Sequence, residues 1–111
     1  MDDFDLPLIE QYRLAGEEWV DKDAAARMLE ETKSSVMAQR QAALGDIPVN
    51  RAEQMVKASQ DWFLHLTKIV DAKTMANEAH IKLKYTEMKY YEQQRKDANQ
   101  RAEMKMLGGT T

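Results

Sequence analysis

Gly45-Asp46-Ile47-Pro48-Val49-Asn50 stands ahead of a run, Arg51 to Leu107, that contains not one glycine or proline. The run is rich in Ala, Glu, Gln, Lys, Arg, Met and Leu, the residues with the lowest cost of helix formation. It reads as one continuous helix over 51–107, roughly 85 Å long at the standard rise. A helix of that length needs a surface to lie against. The architecture that follows is all-α, a coiled-coil-like hairpin.

Upstream of the breaker, a first helix is expected over 6–44. Asp5 is placed to cap it, Pro7 sits where a missing N–H is tolerated, and Glu10 complements the helix N-terminus. Apolar residues recur at Leu8, Tyr12, Ala15, Trp19, Ala26, Leu29, Val36 and Ala43, in steps of three, four and seven. Gly16 interrupts the pattern and reads as a packing notch rather than a hinge. Gly45 is expected at the C′ position, and Asn50 with Glu53 as a capping box for the second helix. The turn is thus 45–50, and Gly108-Gly109-Thr110-Thr111 form a frayed tail at 108–111.

A connection of about six residues joins neighbouring antiparallel helices. With the turn centred near 47 or 48, Trp19 faces Ala76, Ala26 faces Ile69, Leu29 faces Leu66, Gly16 faces Ala79 and Tyr12 faces Leu83. Large residues meet small ones. The first helix ends too early to cover the second, so residues from Tyr90 to Leu107 are expected to overhang. An isolated polar helix of that length is marginal in water and is the natural place for a partner.

The 111 residues allow one domain. Net charge is -3, with no cysteine for disulfides or thiolate metal sites. Charge is segregated. Residues 1–31 hold ten acids against three bases, and residues 80–107 hold seven bases against four acids. Complementary flanking charge of this kind selects register. The N-terminal residues lack a signal-peptide pattern, and no window is apolar enough for a membrane span, so the expected location is the cytoplasm.

No catalytic pattern emerges. His65 and His80 are fifteen residues apart, too far along one helix to share an ion, and each reads as a surface or flank position. There is no His-Glu-x-x-His, no glycine-rich phosphate loop, and no serine set with a histidine and an acid. The chain is read as non-enzymatic, with no cofactor and no metal. The candidate binding surface is Tyr85, Tyr90, Tyr91, Arg95, Lys96, Arg101, Met104, Lys105, Met106 and Leu107. Trp62 and Phe63 point to adjacent faces, so one of them is expected to face a second hairpin.

The segment Ala79-His80-Ile81-Lys82-Leu83-Lys84-Tyr85-Thr86-Glu87-Met88-Lys89-Tyr90-Tyr91-Glu92, with Ala98 to Met104, Asn50 to Glu53 and Glu10 to Ala15, resembles small uncharacterised helical proteins of bacteriophages and prophages. The resemblance covers most of the chain. It implies a setting in early genome regions, near recombination and single-strand annealing, and hence the cytoplasm of a bacterial host. It brings no active residues to carry over. The expected function is an accessory protein that binds another protein in recombination, replication or host takeover. The alternatives are a single-stranded nucleic-acid binder using Arg95, Lys96, Arg101 and Lys105, or a structural or chaperone component of phage assembly. The expected partners are a second copy of the chain, as a homodimer or larger homo-oligomer forming a helical bundle, and an unidentified protein.

Overall fold

The computed structural model describes residues 5–109. Among them the chain is all-α, with three helices and no strand: α1 (Leu8–Ala43), α2 (Val49–Lys57) and α3 (Gln60–Gly109). α1 starts two residues later than expected. The Pro7 carbonyl accepts from the amides of Glu10 and Gln11, both at 3.0 Å. Leu6, left outside the helix, has its carbonyl bound by the Gln11 side chain at 2.7 Å. Asp5 is therefore not the cap. Gly45 has φ +84, the left-handed conformation that L side chains rarely adopt, and it closes the end of α1.

The second half of the chain is not one helix. α2 begins at Val49 because the Pro48 carbonyl accepts from the Ala52 amide at 2.9 Å, so Asn50 lies inside the first turn and makes no capping box. Glu53 instead pairs with Lys57 at 2.9 Å. The helix then breaks at Ala58 and Ser59. Ser59 Oγ donates to the Val56 carbonyl at 2.6 Å and accepts from the Trp62 amide at 3.2 Å. One hydroxyl thus closes α2 and caps α3, the competition with backbone bonding that serine brings to a helix. At the far end, Gly108 and Gly109 continue α3 and are not a frayed tail; Thr110 and Thr111 lie outside the described residues.

The chain divides into two compact units, one from residues up to Trp19 together with Ala79 onward, the other Val20–Glu78. Within Val20–Glu78, α1 and α3 run antiparallel, with Arg40 to Asp61 at 3.0 Å and Glu30 to Lys73 at 2.9 Å. The buried residues are Ala26, Ala52, Val56, Trp62, Ile69 and Ala76. Trp62, Ile69 and Ala76 recur every seven residues, the repeat of a helix seam.

In the other unit the same antiparallel sense holds. The Trp19 ring lies 5.2 Å from His80, Tyr12 lies 5.8 Å from Tyr90, and Glu18 binds Lys82 at 3.1 Å. Ala15, Ala79 and Thr86 are buried, and Thr86 satisfies its hydroxyl by donating to the Lys82 carbonyl at 2.8 Å. In both units the expected facing pairs are displaced by one turn or more. Trp19 meets His80 rather than Ala76, Tyr12 meets Tyr90 rather than Leu83, and Ala26 shares a groove with Lys73 and Ala76 rather than facing Ile69. The cause is the break at Ser59. α2 becomes part of the connection, so the strand of helix paired with α1 starts at Gln60 instead of Arg51.

Ser59→Ala removes the cap that starts α3 and is expected to cost about 1 kcal/mol, read by chemical denaturation, whereas Ser59→Asp retains it. Gly16 offers a contrary test. A methyl group added there would sit 3.8 Å from Leu83 Cδ1, an ordinary contact, so no notch is required. Gly16→Ala is expected to stabilise by about 1 kcal/mol, seen as a higher melting temperature.

Candidate functional site: the outer face and end of α3

The candidate residues all lie on α3, which carries them in one unit with the start of α1. Two classes emerge. Tyr90 belongs to the seam. It is half-buried, with its ring against Tyr12 and 5.6 Å from that of Tyr91. Burial pushes the Tyr12 phenol above its ordinary value, and the neighbouring Glu87 carboxylate adds to that shift. The register displacement explains why Tyr90 is not part of an overhang. α1 reaches further along α3 than expected, and a groove of about 560 Å³ runs between Leu6, Pro7, Leu8 and Gln11 on one side and Lys89, Glu92, Gln93 and Lys96 on the other.

Tyr85, Tyr91, Arg95, Lys96, Arg101, Met104, Lys105, Met106 and Leu107 are exposed. Every residue from Tyr91 to Gly108 is exposed while α3 remains helical through Gly109. Several cations here already have partners on the same helix. Lys96 meets Glu92 at 3.4 Å, Lys84 meets Glu87 at 3.5 Å, and Lys89 lies 5.3 Å from the centre of the Tyr85 ring. The Arg101 Nε donates to the Asp97 carbonyl at 3.4 Å. Such exposed i,i+3 and i,i+4 pairs contribute a few tenths of a kcal/mol and hold side chains along the helix rather than across a groove.

No family model, curated protein or solved structure matches this chain. Among the described residues no group of three His, Cys, Asp or Glu side chains is placed to hold a metal ion, and no helix is long and apolar enough to cross a membrane.

Tyr85 belongs to an apolar stripe on α3 whose other members, Ile81 and Met88, are not among the candidates. Ile81, Tyr85 and Met88 stand at i, i+4 and i+7 and are all exposed, so they form a face of their own apart from the buried Ala79 and Thr86. The signal was present in the sequence. It was masked because a helix with apolar residues on two faces shows almost no net periodicity. In the Val20–Glu78 unit, Trp62 is buried while its neighbour Phe63 is exposed.

The histidines also differ from expectation. Both are half-buried and both lie against tryptophans, His80 on Trp19 and His65 on Trp62 at 5.7 Å. His65 falls three residues after Trp62, one turn along the same helix face, which brings its ring against the indole. Its Nε2 is enclosed and has no hydrogen-bond partner among the described residues. The Glu30 carboxyl, hydrogen-bonded by Lys73, is held below its usual range. Its pairing therefore contributes at neutral pH and fades as pH falls through that lowered value.

A buried polar nitrogen without a hydrogen-bond partner lowers stability, and an apolar residue of similar bulk relieves it. His65→Leu is expected to raise stability by about 1 kcal/mol in urea unfolding; a loss of that size would mean the imidazole does find a partner in solution.

Proposed function

We propose that this chain is a non-enzymatic helical hairpin that acts by binding another protein through the exposed end of α3, in the manner of a phage-type accessory protein in recombination, replication or host takeover. The observation that carries the reading is the helical but wholly exposed stretch from Tyr91 to Gly108, with Met104 and Met106 on it. A solitary helix of this composition gains little from its own propensity, and a partner helix or groove supplies the missing packing. Methionines suit such a surface because their flexible, polarisable side chains adapt to it.

A single-stranded nucleic-acid ligand is less well supported. Tyr90 is taken up by the seam, and Lys96 is paired with Glu92, which leaves few cations in a continuous track. Self-association into a homodimer, two hairpins forming a bundle, is compatible with the protein-binding reading, because the first helix leaves much apolar surface uncovered.

Affinity capture from a bacterial lysate compares the full chain with a version ending at Lys96. One protein retained in stoichiometric amount, insensitive to added salt and lost on truncation, is the expected result. Equal capture by both versions, or recovery of salt-sensitive nucleic acid alone, overturns the reading.

A further inference from the structure

The break between α2 and α3 is made without the residues that usually make one. No glycine or proline stands between Arg51 and Leu107, and among the described residues the positive φ is at Gly45. Ala58 has φ -83 and ψ -8, still right-handed and not far from the helical values of about -63 and -42. Ala58 and Ser59 alone leave the helix.

Two apolar series run through this break in helical phase. The seam of α3 in the Val20–Glu78 unit consists of Trp62, His65, Ile69, Ala72 and Ala76, in steps of three and four. The next steps back are Ala58 and Met55, both exposed in the bent chain. On another face Val49, Val56, Phe63 and Val70 recur every seven residues. The bent chain follows neither series, because α2 buries Ala52 and Val56, each 4% exposed. A sequence fitted to the bend alone has no need to keep phase across it.

We infer that the junction of α2 and α3 is a two-state hinge. In the bent state of the structure, α2 packs Ala52 and Val56 while Ser59 holds the corner. In the straight state, α2 and the start of α3 form one helix, and Met55 and Ala58 continue the seam of Trp62 and Ile69. The two states satisfy the junction's backbone in different ways. When bent, the Ser59 hydroxyl donates to the Val56 carbonyl and accepts from the Trp62 amide. When straight, those two groups meet the Gln60 amide and the Ala58 carbonyl instead. The exchange is nearly even in hydrogen bonds, and burial of Val56 is set against burial of Met55.

The connection can follow the movement. Arg40 pairs with Asp61, so Ala43 at the end of α1 stands opposite Ala58. A straight helix begins at Val49, about 14 Å further along the axis and about 8–10 Å across from α1. The chain from Ala43 to Val49 extends to about 20 Å, so α1 keeps its full length. Straightening also carries Lys57 away from a groove of about 650 Å³ that it lines with Lys33, Ser34, Met37, Trp62 and Leu66. The hinge therefore opens one wall of the groove beside Trp62.

The test is a distance. Arg51 and Asp71 are exposed and the chain has no cysteine, so spin labels on Arg51→Cys with Asp71→Cys report this pair alone. Unbroken helix places them about 30 Å apart, and the bend brings them closer. The full chain is expected to show a main short distance and a minor long one. Ser59→Ala, which releases the corner, is expected to raise the minor population about fivefold or more. Gln60→Pro is expected to abolish it, since proline is tolerated just after the cap of the bent form and breaks a straight helix. Thiol labelling of Val56→Cys is a second readout, with Ala76→Cys, buried in the same unit, as the reference for general opening. Ser59→Ala is expected to speed the first about fivefold and leave the second unchanged. A single short distance in the Ser59→Ala chain, a long one that survives Gln60→Pro, or equal acceleration at both thiols overturns the inference. Loss of helicity in Gln60→Pro overturns it too, because the bent form places that residue where proline fits.

Discussion

The contact between α1 and α3 in each unit is built on alanine, and most of what is unusual about this protein follows from that. Alanine at Ala15 and Ala79 in one unit, and at Ala26 and Ala76 in the other, removes little apolar area from water. Burial of a leucine or phenylalanine side chain contributes about 1.5–3 kcal/mol, and an alanine methyl only a fraction of that. Small side chains let helices approach closely and pack well, but they leave a thin core. Of the larger side chains that engage, Ile69 and Trp62 are buried, while Trp19, Tyr12 and Tyr90 meet as ring pairs across the seam and are only partly covered. A thin core displaces apolar residues outward, and they collect on the outer faces of α1 and α3. The exposed apolar residues of α1 and α3 are the complement of the alanine seam.

The sequence made the helix content, the seam residues and the segregation of charge legible, because each leaves a periodic or compositional trace. Ala15, Ala26, Ala76, Ala79 and Ile69 were all on the expected inner face, while the pair Trp62 and Phe63 was left undivided between two faces. The break at Ser59 left no comparable trace. Serine is a middling helix former in an interior and a strong cap, and which role wins depends on whether its neighbours complete the helix on either side. Ser59 is followed at the third position by Trp62 rather than by the glutamate of a capping box, so the usual flag was missing. The asparagine and glutamate that did look like a box, Asn50 and Glu53, were overridden by Pro48, whose carbonyl starts α2 two residues too early for them.

One missed break goes with displaced facing pairs in both units. Register in an antiparallel helix pair is set by the length of the connection, and a heptad seam looks alike at each turn, so a slip of one turn keeps the apolar faces together. The steps of three and four in the sequence identify which residues are inside. They do not identify which of those residues meet. The same ambiguity placed Tyr90 with the overhang: its exposure depended on where α1 begins along α3, a long-range quantity. The outer stripe of Ile81, Tyr85 and Met88 was hidden for a different reason, since apolar residues on opposed faces of one helix cancel in any single periodic measure.

Charge then supplies the information that the alanine seam lacks. Among the described residues, Glu18, Glu30 and Arg40 of α1 pair with Lys82, Lys73 and Asp61 of α3. The signs are not uniform. The pair nearest the connection is reversed, with the base on α1 and the acid on α3. In the antiparallel sense all three pairs are opposite in sign, whereas running α3 the other way would set Glu18 near Asp61 and Arg40 near Lys82, like against like. Each pair is exposed and contributes at most a few tenths of a kcal/mol, so the pattern adds little to stability. It discriminates between arrangements that the hydrophobic seam treats as equivalent, which is the role of charge beside a small-residue interface.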